Sequence, residues 1–158
     1  MRKFEKISVE QFIKDKCGTE EDYNNYNLPR RKTKYSAGYD FELLNDLTLK
    51  KGEIKKIPLG VKCMLEPDEF LMIVVRSSIG FKYNIRLTNQ VGIIDYDYYN
   101  NEDNEGHMWV SLQNEGNKDI TFKKGEFICQ GIFVKYGVVS DENKTFSVRK
   151  GGIGSTGK

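Results

Sequence analysis

Histidine is nearly missing from this chain: His107 is the only one among 158 residues. A Ser-His-Asp relay or a two-histidine metal site therefore has little to be built from. The three cysteines, Cys17, Cys63 and Cys129, are odd in number, widely spaced and without a CxxC pair, which argues against both a disulfide framework and a zinc site. Long apolar runs are also absent. The longest, Phe70 to Val75, is far too short to cross a bilayer, and Arg2, Lys3, Glu5 and Lys6 are not followed by the apolar core of a signal peptide. These absences predict a soluble, cytoplasmic protein with no membrane partner. An excess of one charge is missing too: 25 Lys and Arg face 23 Asp and Glu, for a net charge of +2. No global basic field is available to drive nucleic-acid binding, and a small charged ligand bound locally fits better.

The chain has the size of one ordinary domain with short peripheral ends. Ser8 can cap a short helix with Gln11 at its third position, Ile7 and Phe12 are placed as a hydrophobic staple, and Gly18 follows as a stop. This helix is expected to be peripheral. The polar stretch from Thr19 to Asn27 reads as a loop, so residues 1–27 form an N-terminal extension to a domain spanning 28–148. From Leu43 onward, short β-rich runs alternate with turn residues: Ile54 to Pro58, Val61 to Leu65, Phe70 to Val75, Trp109 to Leu112, Ile120 to Phe122 and Phe127 to Tyr136. Strands of this length and spacing predict an all-β sandwich or barrel. Ser77 to Tyr83 is the one internal helical segment expected, and it would put the Ser77 and Ser78 amides at a helix N-terminus, where phosphate binds well. Residues 149–158 form a Gly-rich C-terminal arm with almost no apolar mass, expected to be mobile.

Two islands carry the chemistry. Arg76-Ser77-Ser78 offers a planar cation and hydroxyls, and Asn89 to Tyr98 offers a turn, a carboxylate at Asp95 and an aromatic face at Tyr98. Arg matches phosphate oxygens and a carboxylate can take a proton from water, which together suit phosphoryl chemistry governed by positioning. Taken alone, Asp95 reads more readily as a turn aspartate capping a hairpin than as a catalytic group, and Asp97 would share its face if the segment is extended.

Five islands in order resemble the sequence motifs of the homotrimeric dUTPases: Ser36-Ala37-Gly38-Tyr39-Asp40-Phe41; Arg76-Ser77-Ser78-Ile79-Gly80; Asn89 to Tyr98; Lys124-Gly125-Glu126-Phe127-Ile128-Cys129-Gln130; and Gly151 to Gly157. The resemblance spans Leu28 to Lys158. It implies a distorted jelly-roll β-barrel, assembled as a C3 homotrimer whose shared sites hydrolyse dUTP to dUMP and pyrophosphate with Mg²⁺, supplying dUMP for thymidylate synthesis and keeping uracil out of DNA. By the same resemblance Asp95 activates the water that attacks the α-phosphorus. Arg76, Ser77, Ser78 and Gln130 meet the phosphates, and Asp40 reaches the metal through water. Asn89 and the backbone of Gly92, Ile93 and Ile94 read the uracil edge as a main-chain hairpin that leaves no room for a 5-methyl group, and Tyr98 stacks on the deoxyribose. Ser155 and Thr156 of the arm meet phosphate. Two departures stand out: Ile153 replaces the phenylalanine that commonly stacks on uracil, and Phe127 stands where many relatives have arginine. Arg149 is the residue expected to reach the γ-phosphate, with Lys150 beside it.

Other matches fail on context. Gly152 to Lys158 satisfies part of a P-loop, but a P-loop needs a preceding strand, a Ser or Thr after the lysine and a following helix. Tyr99 to Gly106 is acidic but lacks EF-hand order. A dCTP deaminase, a related fold, needs a glutamate on the strand after the third motif, and Ser111 stands there. A non-enzymatic role, in which nucleotide gates contact with another protein, is the reading from a different class. Intact Asp95 and Tyr98 favour catalysis.

Overall fold

Period-two burial along the longer strands sets the architecture. The computed structural model describes residues 1–142 and 149–152. In these residues the chain runs through β1 (Lys3–Lys6), α1 (Val9–Lys14), α2 (Glu20–Asn25), β2 (Tyr39–Glu42), β3 (Leu47–Leu49), β4 (Ile54–Pro58), β5 (Val61–Met64) and β6 (Glu69–Val75). It continues through α3 (Ser77–Tyr83), β7 (Ile85–Leu87), β8 (Gly92–Ile94), β9 (Trp109–Asn114), β10 (Ile120–Phe122) and β11 (Phe127–Lys135). Leu71 and Ile73 of β6 and Val110 and Leu112 of β9 point inward, while their neighbours are half-buried, the alternation expected of a sheet with one face on the core. The strands form a β2-β11-β6-β8 sheet, a β4-β9-β7 sheet and the pairs β1-β5 and β10-β3, all antiparallel. This is the expected all-β fold, a distorted jelly roll.

β11 is the central strand. It pairs with β6 from Cys129↔Val75 to Lys135↔Glu69 and with β2 through Gln130↔Asp40 and Gly131↔Tyr39. Gly131 lets the sheet close on its core, since a Cβ there would lie 3.0 Å from the Phe41 ring and 3.1 Å from Leu71.

The N-terminal helix is not peripheral. Ser8 caps α1 by accepting from the Gln11 amide at 3.1 Å, as expected. Ile7, Phe12 and Cys17, however, are fully buried in the same apolar cluster as the barrel strands. The stretch from Thr19 is not a loop. Thr19 and Asp22 form a capping box that starts α2, and Tyr26 at its end stacks on Phe12 with ring centroids 5.3 Å apart. The two helices seal against the strands through this shared cluster, and burying these aromatics stabilises more than such short helices could alone.

His107 fixes this seal. It is fully buried; its Nε2 accepts from the Gly60 amide at 2.9 Å, and its Nδ1 lies 2.5 Å from the Asp15 carboxylate at the end of α1. An acceptor at Nε2 leaves the proton on Nδ1, which donates to Asp15, so the ring is neutral. Burial lowers the His107 pKa, outweighing the Asp15 contact that raises it. The unfolded chain therefore takes up this proton first as pH falls. The stability His107 contributes is full above the ordinary imidazole pKa of about 6.5 and is lost on acidification below it. The urea midpoint should drop between pH 7 and 5, and His107→Gln, less stable by about 1–3 kcal/mol at pH 7, should show a flatter profile there. An unchanged slope would dismiss His107 as the titrating group.

Candidate active site

The register of β11 gathers one set of predicted residues. Opposite Gln130 on β2 is Asp40, and β6 ends beside them at Arg76, whose amide donates to the Ile128 carbonyl at 3.1 Å. Arg76 Nε lies 3.3 Å from Asp40 Oδ2, and Asp40 is buried. Arg76 also begins α3: its carbonyl accepts from the Ile79 and Gly80 amides, leaving those of Ser77 and Ser78 ahead of the first intrahelical bond. A cavity of about 330 Å³ is lined by Arg76, Ser77, Ser78, Gln130 and Asp40, together with Lys32, Ser36 and Gly38. It offers a cation, hydroxyls and free amides to an anion. The sequence reading missed Lys32, and only its closeness to the first motif could have drawn attention to it.

Gln130 can cross this cavity only because position 38 has no side chain. A Cβ on Gly38 would lie 2.0 Å from Gln130 Oε1, a clash that the amide must move to relieve.

The remaining described site residues line a second cavity of about 230 Å³: Asn89, Gly92, Ile93, Ile94, Asp95, Tyr98 and Arg149, with Ile73 and Trp109. The segment from Asn89 is not the paired hairpin expected. β7 pairs with β9 while β8 pairs with β6, so Thr88 to Val91 crosses between two sheets, with Gln90 at a positive φ of 64°. Asp95 and Asp97 are also not on one extended face. Asp95 directly precedes a 3₁₀ turn over Tyr96–Tyr98, its side chain making no capping bond, and both carboxylates converge on one guanidinium: Arg149 Nη2 lies 2.6 Å from Asp95 and Nε 2.8 Å from Asp97. Arg149 is 13% exposed and Asp95 52%.

Tyr98 is buried, donating its hydroxyl hydrogen bond to the His107 carbonyl at 2.8 Å and accepting from Asn104 Nδ2 at 3.0 Å. Burial pushes its phenol pKa up, so it stays neutral. Its ring faces the cavity with the Arg149 guanidinium carbon 5.9 Å from the centroid. The long acidic loop is folded on itself around Asn101 and Asn104; its Asp103 accepts from the Gly152 amide at 3.3 Å. Ile153, Ser155 and Thr156 lie outside the described residues. Neither cavity shares a lining residue with the other, and among the described residues no cluster of three His, Cys, Asp or Glu could hold a metal.

A family model described as dUTPase matches residues 24–157. The chain belongs to the dUTPase family. A deoxyuridine 5′-triphosphate nucleotidohydrolase of Lactococcus lactis is 45% identical over 132 residues, 83% of this chain and 88% of that relative. The Haemophilus influenzae nucleotidohydrolase of the same name is 35% identical, covering 85% of this chain and 90% of its own. The crystal structure of the Streptococcus mutans dUTPase superposes with a TM-score of 0.71 at 34% identity, covering 87% of this chain and 98% of its own. In this dUTPase-family chain, Gly38→Ala is expected to leave the thermal midpoint nearly unchanged and to lower kcat/KM on dUTP roughly a hundredfold by displacing Gln130. Full activity would show that Gln130 need not cross the cavity.

Proposed function

We propose that this protein hydrolyses dUTP to dUMP and pyrophosphate, with Asp95 as the base. One observation supports the reading: Arg76, Ser77, Ser78 and Gln130 line one cavity, while Asp95, Tyr98, Asn89 and Gly92 to Ile94 line another. Asp95 takes a proton from water; the water oxygen attacks the α-phosphorus, and the bond to the bridging oxygen breaks as pyrophosphate leaves. Arg76, Ser77, Ser78 and Gln130 bind the chain and its developing charge. Asn89 and the Gly92 to Ile94 backbone meet the uracil edge, and Tyr98, held by His107 and Asn104, lies against the deoxyribose and leaves no space for a 2′-hydroxyl.

The assembly we place as a C3 homotrimer, on the strength of the family resemblance, with the two cavities of one site contributed by different copies. Mg²⁺ suits this site as an ion carried mainly by triphosphate oxygens and waters: Asp40 is buried and engaged with Arg76, and among the described residues no protein cage is present. Asp40 would hold the ion through water, and when bound it neutralises phosphate charge. Arg149 cannot reach a γ-phosphate while it spans Asp95 and Asp97, so its move to substrate also frees the base. The three cysteines are free and buried, which suits the reducing cytoplasm, where the reaction would supply dUMP and keep uracil out of DNA.

Pyrophosphate release should be seen from dUTP but not from dCTP, dTTP or UTP, and ammonia release from dCTP would point to a deaminase instead. Asp95→Asn should bind dUTP within a fewfold of the parent and lose turnover by about 10²–10⁴-fold. Equal losses of binding and turnover would remove Asp95 from the role of base.

A further inference from the structure

Phe127 sits among cations. Lys32 Nζ lies 3.6 Å from its ring centroid, the Arg30 guanidinium carbon 5.6 Å and that of Arg76 5.9 Å. The face of an aromatic ring attracts a cation most strongly along its normal and at short range, so of the three Lys32 is the one this ring holds. Lys32 also lines the phosphate cavity with Arg76, Ser77 and Gln130. Unlike Lys123, Lys124 and Lys135, each paired with a carboxylate, it makes no ion pair among the described residues. An ammonium kept at the mouth of an anion cavity, with a ring to aim it and no carboxylate to neutralise it, keeps its full charge for a ligand.

The backbone makes this placement firm. Arg30 and Asp40 exchange both amide bonds, Arg30 N to Asp40 O at 3.3 Å and Asp40 N to Arg30 O at 2.9 Å. This clamps the chain two residues before Lys32 onto β2. On the other side the turn is closed by Thr33 and Ser36, whose hydroxyls lie 2.7 Å apart, and by the Arg31 side chain donating to the Lys34 carbonyl at 3.0 Å. Phe127 opens β11 opposite Glu42 and receives Arg76 Nη1 on its carbonyl at 3.5 Å. Ring, ammonium and guanidinium thus meet at one corner of the sheet, with the backbone on either side of Lys32 held by hydrogen bonds.

We propose that Lys32 is a phosphate-binding residue of this site and Phe127 the residue that positions it, the aromatic face delivering a lysine charge where the strand itself carries none. This rests on the reading of the cavity as the polyphosphate site. Lys32 is a point charge on a flexible stem, so it contributes attraction for a triphosphate without fixing its geometry, and Phe127 supplies the missing direction.

The test uses the full-length chain and two readouts, steady-state turnover of dUTP and calorimetric binding of inorganic triphosphate. Lys32→Ala should raise KM for dUTP and weaken triphosphate binding by about tenfold each, leave kcat within threefold and flatten the dependence of KM on salt. Lys32→Arg should retain most of the affinity. Phe127→Leu, which keeps apolar bulk but removes the ring face, should raise KM about threefold, and the Lys32→Ala/Phe127→Leu double variant should be no weaker than Lys32→Ala alone. Binding and KM within twofold of the parent in Lys32→Ala would overturn the role of Lys32, and fully additive losses in the double variant would overturn the role of Phe127. A parent chain that binds triphosphate but does not turn over dUTP would reject the dUTP reading while triphosphate affinity still decides Lys32.

Discussion

The double pairing of β11 is the constraint on which the cavity at Arg76 and Gln130 depends. Strand pairing fixes register to a single residue, because a slip of one turns every side chain to the other face. With Gln130 opposite Asp40 on one side and Cys129 opposite Val75 on the other, three segments far apart in sequence must meet at one sheet edge. The shift in register between Phe127 and Cys129 has a second consequence. A bulge re-aims the residues next to it, and the residue at the start of this one is the aromatic that faces Lys32. The groups around the cavity therefore take their positions from backbone hydrogen bonds that no exposed side chain could replace.

The second cavity depends on a different device, a polar chain through an apolar interior. Asp15, His107 and Gly60 tie the helical seal to the barrel, and the carbonyl of the same His107 takes the Tyr98 hydroxyl. Buried polar groups are costly unless every member is satisfied, and among the described residues no buried side-chain polar atom lacks a partner. The Tyr98 hydroxyl is held from two sides, by the His107 carbonyl and by Asn104. The N-terminal helices, remote from either cavity in sequence, thereby share in setting the wall against which a sugar would lie.

Much of this was legible before any coordinates. Ser8 as a cap, α3 over Ser77–Tyr83 and the strands at Ile54–Pro58 and Ile120–Phe122 follow from local rules of capping and alternation, and the structure keeps them to the residue. What local rules could not supply was partnership. Thr19 and Asp22 spell a capping box, yet α2 contains no buried residue of its own, so its apolar signal was too faint to separate helix from loop until Tyr26 met Phe12. Asn89 to Ile94 has the composition of a hairpin turn, but which strand β8 pairs with is decided by Ile73 and Leu71, some twenty residues earlier in the chain. Lys32 was invisible for the same reason: a lysine in a basic loop carries no pattern, and the ring beside it belongs to Phe127, far along the chain.

The two cavities also differ in the charges they carry. A carboxylate base and a polyphosphate repel each other, and in a site of low dielectric that repulsion is large. Asp95 and Asp97 lie together and would add two negative charges to the ligand's own. Arg149 offsets both carboxylates in the single chain, while Arg76 and Lys32 collect positive charge in the other cavity. On the proposed reaction, the cost of bringing base and phosphate together is met only when the two cavities, from different copies, close on one substrate. Arg149 can then exchange the carboxylates for phosphate oxygens. On that reading its guanidinium would stay paired throughout, with only the identity of the anion changing.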